Sequence, residues 1–458
     1  MIINLRNNLK KLLHKTNINF VNNLVLSEGK IKLFPRYSLS NAKHSVVGWV
    51  PNLKNKTKII IFNFFSLNYS IREDIESNIY LIKDQKIVDK FNFYLKADEI
   101  KEYSPSEIFK NDNGDTIIVE LISKKIKKNH GGHDGHFRFW GKYIDSYGNT
   151  RAITHSMPLS LNDLFGKSSE KYSRNYHLKF HGKEYLINFY PGGSNKTENK
   201  KSIYGYNMII NGEEPNSAWH LSPPNMSNDK CTLTQGFYCP KSLKIDPIII
   251  LDPNETGLKK NDVEFFILKN NEIKFTKKKA IEGLFKERIS SLFQTIEDEY
   301  SFFIKFKSLG LSHAHVHYSD GKNLFDQVHM HDCNWEFNGK YVAHKELRKK
   351  RNCRKFFCYD LKNSNLENYI IIHNEKIENK SSNNLRVRLF QGKKENLLNI
   401  NLQPNKPIEV LNVKEIFENA THINSLIQIE STDYNFHASG LILNRSLGNI
   451  YTDHFTGG

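Results

Sequence analysis

Apolar positions in this chain fall in short runs rather than in helical stripes. Segments such as "KTKIIIFNFF", "DPIIILD" and "RKFFCYDL" are rich in β-branched and aromatic residues, which predicts buried or half-buried strands. Three more runs carry the same signal: "DTIIVELIS" from Asp115, "SFFIKFKS" from Ser301 and "INSLIQIES" from Ile423. Each follows a short polar segment that ends on an aromatic, at residues 100–110, 285–294 and 408–418. Those segments read as one helical turn, Ser-capped or otherwise polar.

The spacing continues beyond the strand. Phe293 to His313 is 20 residues, and Phe417 to His437 is also 20. The first occurrence carries an insertion, "KKIKKNHGGHDG", before His136. Each then reaches a Gly with Asn or Asp, the chemistry of a hairpin turn, and returns on a strand with a second histidine. The pairs are His136 with His155, His313 with His329 and His331, and His437 with His454.

A unit of about a hundred residues, mostly strand with one helical turn, predicts a β-sandwich or jelly roll. The expected fold class is therefore mainly all-β: tandem β-sandwich or jelly-roll-like repeats in three copies, with a few short helices. The expected organisation is a basic amphipathic helix over 1–20, a first copy over 21–160, a hairpin-rich insert over 161–240, a second copy over 241–345 and a third over 346–458. A longer helix is expected over residues 278–299 of the second copy.

Charge changes the picture modestly. The 458 residues carry 66 Lys and Arg against 49 Asp and Glu, a formal net charge of +17, so charge favours an anionic partner such as an acidic glycan. The lysines are spread through Asn-rich and Ile-rich sequence rather than clustered with aromatics, so a nucleic-acid surface is not expected. Hydrophobic residues at 38% and aromatics at 12% fit a folded chain, not a disordered one. No apolar run reaches membrane-spanning length and no secretory leader is evident, so a cytoplasmic protein is expected. Ile2, Leu5, Leu9 and Leu12 lie at helical spacing among Arg6, Lys10, Lys11 and Lys15, leaving peripheral membrane contact open beside packing on a neighbour. Five cysteines without a CxxC pair suggest neither a disulfide framework nor a tetrathiolate site.

The candidate chemistry lies in "HAHVH" and "QVHMHD". His313, His315 and His317 alternate, so a strand places all three on one face, and His329 and His331 do the same on the returning segment. A register pairing His315 with His331, His317 with His329 and His313 with Cys333 would gather imidazoles for one Zn, Fe or Mn ion. Asp320, Asp326 and Asp332 are the neighbouring carboxylates. His136, His155, His437 and His454 are the equivalent positions in the other copies. If the hairpins converge about a threefold axis, these histidines share one site; if the copies stack in a line, each pair stays local to its turn.

The Walker, dinucleotide-binding, esterase-elbow and HExxH patterns are absent, so no nucleotide cofactor is expected. Tyr190, Tyr204 and Trp219, in Gly-rich and Pro-rich loops, offer rings on which a sugar could stack. Two functions follow. One is a transition-metal-dependent enzyme of unassigned reaction; the other is a non-enzymatic scaffold or binding protein for acidic glycans or protein partners.

Overall fold

The computed structural model describes residues 24–27, 30–33, 44–52, 55–69, 72–83, 86–114, 116–124, 139–144, 150–158, 160–161, 174–180, 183–189, 231–240, 245–251, 253–270, 272–293, 299–309, 313–319, 324–337, 340–341, 353–362, 364–373, 383–391, 394–402, 407–418, 420, 425–431, 436–446 and 448–455. The expected N-terminal helix, His136, Tyr190, Tyr204 and Trp219 lie outside them. The described chain is mostly antiparallel β, with helices of one or two turns. Among the described residues no helix is long and apolar enough to cross a membrane.

After a small hairpin, β1 (Leu24–Ser27) with β2 (Lys30–Leu33), come nine strands of a first unit. They are β3 (His44–Pro51), β4 (Thr57–Phe62), β5 (Ile75–Lys83), β6 (Lys86–Leu95), β7 (Ile100–Tyr103), β8 (Thr116–Ser123), β9 (Trp140–Ile144), β10 (Thr150–His155) and β11 (Met157–Pro158). A separate sheet follows, made of β12 (Ser160–Leu161), β13 (Arg174–Phe180) and β14 (Lys183–Phe189). The second unit contains β15 (Cys231–Cys239), β16 (Ile248–Leu251), β17 (Lys260–Lys269), β18 (Glu272–Glu282), β19 (Phe285–Arg288), β20 (Tyr300–Ser308), β21 (His315–Ser319), β22 (Leu324–His329), β23 (His331–Phe337) and β24 (Lys340–Tyr341). The third contains β25 (Cys353–Tyr359), β26 (Leu366–His373), β27 (Asn383–Gln391), β28 (Lys394–Leu402), β29 (Ile408–Asn412), β30 (Ser425–Ser431), β31 (His437–Asn444) and β32 (Asn449–His454).

The strand order recurs. One sheet of each unit runs first, sixth, third, fourth: β3-β8-β5-β6, β15-β20-β17-β18 and β25-β30-β27-β28. The other runs eighth, seventh, second, fifth: β10-β9-β4-β7, β22-β21-β16-β19 and β32-β31-β26-β29. Where the eighth strand ends, the same backbone bond forms each time: Ser156 to the carbonyl of Phe139, Met330 to Ala314 and Phe455 to Ala438, all at 2.7 Å. Before the sixth strand, one helical turn closes on a buried phenylalanine. The amides of Phe109, Phe293 and Phe417 reach back to Pro105, Ile289 and Val413 at 2.9–3.0 Å. Asn412 caps the third of these turns through its side chain, whereas Ser104 makes no side-chain cap bond.

Three expectations need correction. Residues 278–299 do not form one long helix. They end β18, turn at Gly283 in the left-handed region (φ 77°), form β19 and, among the described residues, keep only the turn Ile289–Leu292 helical. The apolar spacing that mimics a helix there arises from the end of β18 and the short β19 on either side of that glycine. The second unit begins earlier than residue 241, because β15 is the strand between β20 and β23. The hairpin register also differs, as described below.

The cores explain how the units sit together. One apolar cluster holds Ile59, Ile61, Val119 and Trp140 of unit one together with Phe357, Ile370, Ile372 and Ile427 of unit three. The rings of Phe62 and Phe356 meet across that boundary at 5.2 Å. The other cluster holds Phe237, Phe265, Phe302 and Val316 of unit two with Ile371, Ile408, Leu441 and Leu443 of unit three. Successive isoleucines of β26 thus point to different cores. This is why "NYIIIH" reads as a continuous apolar run instead of an alternating one. Each fully buried isoleucine contributes roughly 1.5–3 kcal/mol. Polar ties reinforce the first boundary: Arg354 Nη1 and Gln428 Nε2 donate to the carbonyl of Leu67 at 3.3 and 3.0 Å.

Candidate metal centre

Strand ends bring the histidines together. The eighth strands β10 and β32 finish at His155 and His454, and β32 packs against both β10 and β22. In unit two the chain passes Met330 and switches sheets, so His331 opens β23 opposite Gly236 of β15. β26 ends at His373, whose register partner is His437 at the start of β31. Five imidazoles and Asp453, drawn from all three units, therefore lie in one place.

Asp453 organises the first part of this cluster. It is fully buried, and the backbone amide of His155 donates to its Oδ2 at 2.8 Å while that of His454 donates to Oδ1 at 2.7 Å. The His155 ring meets the same carboxylate through Nδ1, 2.9 Å from Oδ2. His454 Nδ1 lies 3.1 Å from Oδ1. An ionised carboxylate only accepts, so His155 donates a proton from Nδ1 to it and turns Nε2 away from Asp453. The His155 and His454 rings approach edge to face at 4.3 Å between centroids. One ligand atom each from His155, Asp453 and His454 lies within 4.8 Å of the others.

His331 extends the cluster. Its ring centroid is 5.8 Å from His454, 5.1 Å from His437 in a stacked arrangement, and 4.8 Å from His373. His373 Nε2 is 3.5 Å from the Ser439 hydroxyl. His155, His331 and His373 are buried, and His437 and His454 are half-buried.

Burial keeps two of the imidazoles, His331 and His373, neutral near one anion. Burial, followed by the charges of His373, His437 and His454, holds His331 well below the usual histidine range. Burial and then the Lys355 cation push His373 down to about 3. Burial works to raise the Asp453 carboxyl, but the His155 charge and the hydrogen bonds from His155 and His454 outweigh it and hold it below the usual carboxylate range. Among the described residues, the ion-pair partners of this buried carboxylate are those two imidazoles alone. A buried charge of that kind is stable only when hydrogen-bonded and matched by a cation or a proton.

The five histidines of the unit-two hairpin do not gather as expected. His315 pairs with His329 and His317 with Gln327, two residues away from the expected register, and a bulge follows at Tyr318 and Ser319. His331 leaves the hairpin altogether, and Cys333 goes with it into the other sheet. His313 stays local, with Nδ1 3.3 Å from the Met330 carbonyl. His315 and His317 are fully buried on β21, and His317 has no hydrogen-bond partner at either ring nitrogen among the described residues. His329 ends β22. The centre instead contains His155, His331, His437 and His454, which the repeat spacing singled out, and His373 and Asp453, which it missed. Their signals were a lone polar residue closing the run "NYIIIH" and an acid directly before a repeated histidine.

No family model matches the chain, and no curated protein matches it. A solved structure of the M60 catalytic domain with the CBM51-1 and CBM51-2 domains from Clostridium perfringens ZmpB aligns with 86% of this chain and 53% of that one at 10% identity. The chain thus spans about half the length of that structure, and at a TM-score of 0.13 the likeness carries no argument.

Proposed function

We propose that this protein binds a divalent transition metal where its three β units meet, and that the metal fastens the units to one another. The observation that supports this most is Asp453: a fully buried carboxylate, held against His155 and His454, with ligand atoms of all three within 4.8 Å. In this reading the Nδ1 bond from His155 to Asp453 fixes the tautomer and frees Nε2 to ligate, the usual division of labour around a metal-bound histidine. His454 and His331 supply further imidazoles, with His437 and His373 around them. Neutral nitrogen donors beside a carboxylate suit Zn or Fe(II) better than Mn. Three imidazoles would leave a position for water or substrate. Burial at 0–2% for Asp453, His155 and His331 supports a structural metal ahead of a catalytic one.

Elemental analysis of the purified chain beside a His155→Ala/His454→Ala double variant tests the reading. The expected result is about one metal equivalent, lost in the variant. A protein that carries no metal and takes up none of Zn, Fe(II) or Mn overturns it, and leaves Asp453 paired with a protonated histidine.

A second reading, a binding protein for acidic glycans, draws on a separate observation. A groove of about 450 Å³ on unit two is lined by Lys278, Lys279, Lys305 and Lys307, with Asp262 and Glu264 as the acids between them. Retention on heparin that falls in a Lys305→Glu/Lys307→Glu variant would support it, and retention unchanged by that variant would exclude this groove.

A further inference from the structure

A second cleft, of about 470 Å³, opens between units two and three. That volume lies within the roughly 300–1,000 Å³ typical of small-molecule sites, which occur preferentially between domains. Unit two supplies Tyr238, Lys269, Asn270 and Glu299, and unit three supplies Tyr369 and Glu415. Asn270 sits at the tip of the β17–β18 turn with left-handed backbone (φ 52°), a conformation asparagine tolerates well.

The polar groups are arranged in a particular way. Tyr238 donates its hydroxyl to Glu299 Oε2 at 2.8 Å, and Tyr369 donates to Glu367 Oε2 at 2.9 Å, so both rings are anchored by carboxylates. Glu415 accepts from Asn412 Nδ2 at 3.1 Å. The acids lining the cleft therefore already hold a protein donor on one oxygen and keep the other for a further hydrogen bond. One lysine against two glutamates makes the lining slightly acidic on a chain whose net charge is +17. An anion is disfavoured there. The half-buried Tyr369 ring, with carboxylate acceptors and amide groups beside it, matches an uncharged molecule that has an apolar face and many hydroxyls.

We propose that this cleft is a binding site for a neutral saccharide, recognised by the Tyr369 ring and by hydroxyl donation to Glu299 and Glu415. The site is independent of the metal centre. It also departs from the acidic-glycan expectation, since the anionic class is the one its charge excludes.

The test is isothermal calorimetry of the full chain against neutral gluco-, manno-, galacto- and chito-oligosaccharides, with a heparin oligosaccharide and spermidine as charged probes. Binding of at least one neutral oligosaccharide is expected, weakened about tenfold or more in both Tyr369→Ala and Glu299→Gln. Far-UV circular dichroism of each variant separates loss of the site from loss of the fold, and Tyr369→Phe, which keeps the ring, should bind within a few-fold of the parent. Binding of none of the neutral panel overturns the proposal. So does saccharide binding that both folded variants retain, or binding confined to heparin or spermidine.

Discussion

Asp453 and His155 lie 298 residues apart in the chain, yet Asp453 accepts both the backbone amide and the ring Nδ1 of His155. The bond joins the last strand of unit three to the end of unit one's eighth strand, with neither side chain in contact with solvent. Asp453→Asn removes the charge and turns an amide donor toward groups that are themselves donors. The expected cost is about 3 kcal/mol, the scale of breaking one side of a buried pair, with metal binding lost at the same time. Urea unfolding and metal content of the variant check both parts. A variant as stable as the parent would show that the contact is incidental.

Metal removal should loosen the whole assembly rather than one unit. A ligand present at about a thousandfold over its Kd adds about 4 kcal/mol to the state that binds it. Chelation followed by gel filtration should therefore lower the melting temperature of the full chain, and readdition of Zn should restore it. In His331→Ala, chelator should have a smaller effect, because unit two then contributes one imidazole fewer to the centre.

Acid should destabilise the fold partly through His317. Burial, then the charges of His315 and Lys286, push this ring well below its ordinary value of 6.5. It is neutral when folded, and the unfolded chain takes up the proton as pH falls through 6.5. Stability from this group is complete above that value. Below it, stability declines by up to about 1.4 kcal/mol per pH unit until the folded ring titrates. His317→Leu should therefore show a flatter fall in stability between about pH 6.5 and 5 in the same metal-free buffer. It should be no less stable near neutrality, since it removes buried nitrogens without hydrogen-bond partners among the described residues.

Gly440 illustrates how closely an aromatic ring can lie on a strand. A Cβ at this position would sit 2.5 Å from Cε1 of Phe357, so Gly440→Ala must displace the ring or bend β31. A loss of about 1–3 kcal/mol is expected in denaturant unfolding. Trimming the ring as well, in Gly440→Ala/Phe357→Leu, should recover part of that loss.

Much of this architecture was legible in the residues. Runs such as "TIIVELIS" became buried strands, and the aromatic that closes each polar turn became Phe109, Phe293 or Phe417 in a core. Two-residue periodicity reveals which face a side chain takes but not which sheet lies beyond it. His331 therefore looked like a hairpin partner of His315, when the chain in fact changes sheets at Met330. The stretch around Gly283 misled for a related reason, because apolar residues at mixed spacings of three and four fit a strand end, a turn and a second strand as well as one helix. His373 and Asp453 lacked the repetition that exposed the other histidines. Each occurs in one unit only, and its importance comes from a neighbour hundreds of residues away or in another sheet.

Because β26 sends Ile370 and Ile372 into the core shared with unit one and Ile371 into the core shared with unit two, the third unit completes both of the units synthesised before it. A ribosome-bound chain that has reached only residue 345 has the described strands of the first two units, yet Phe62 and Phe237 belong to cores that still lack their third-unit residues. Until residues 346–458 emerge, chaperones would meet two units with their described strands made and two greasy faces uncovered.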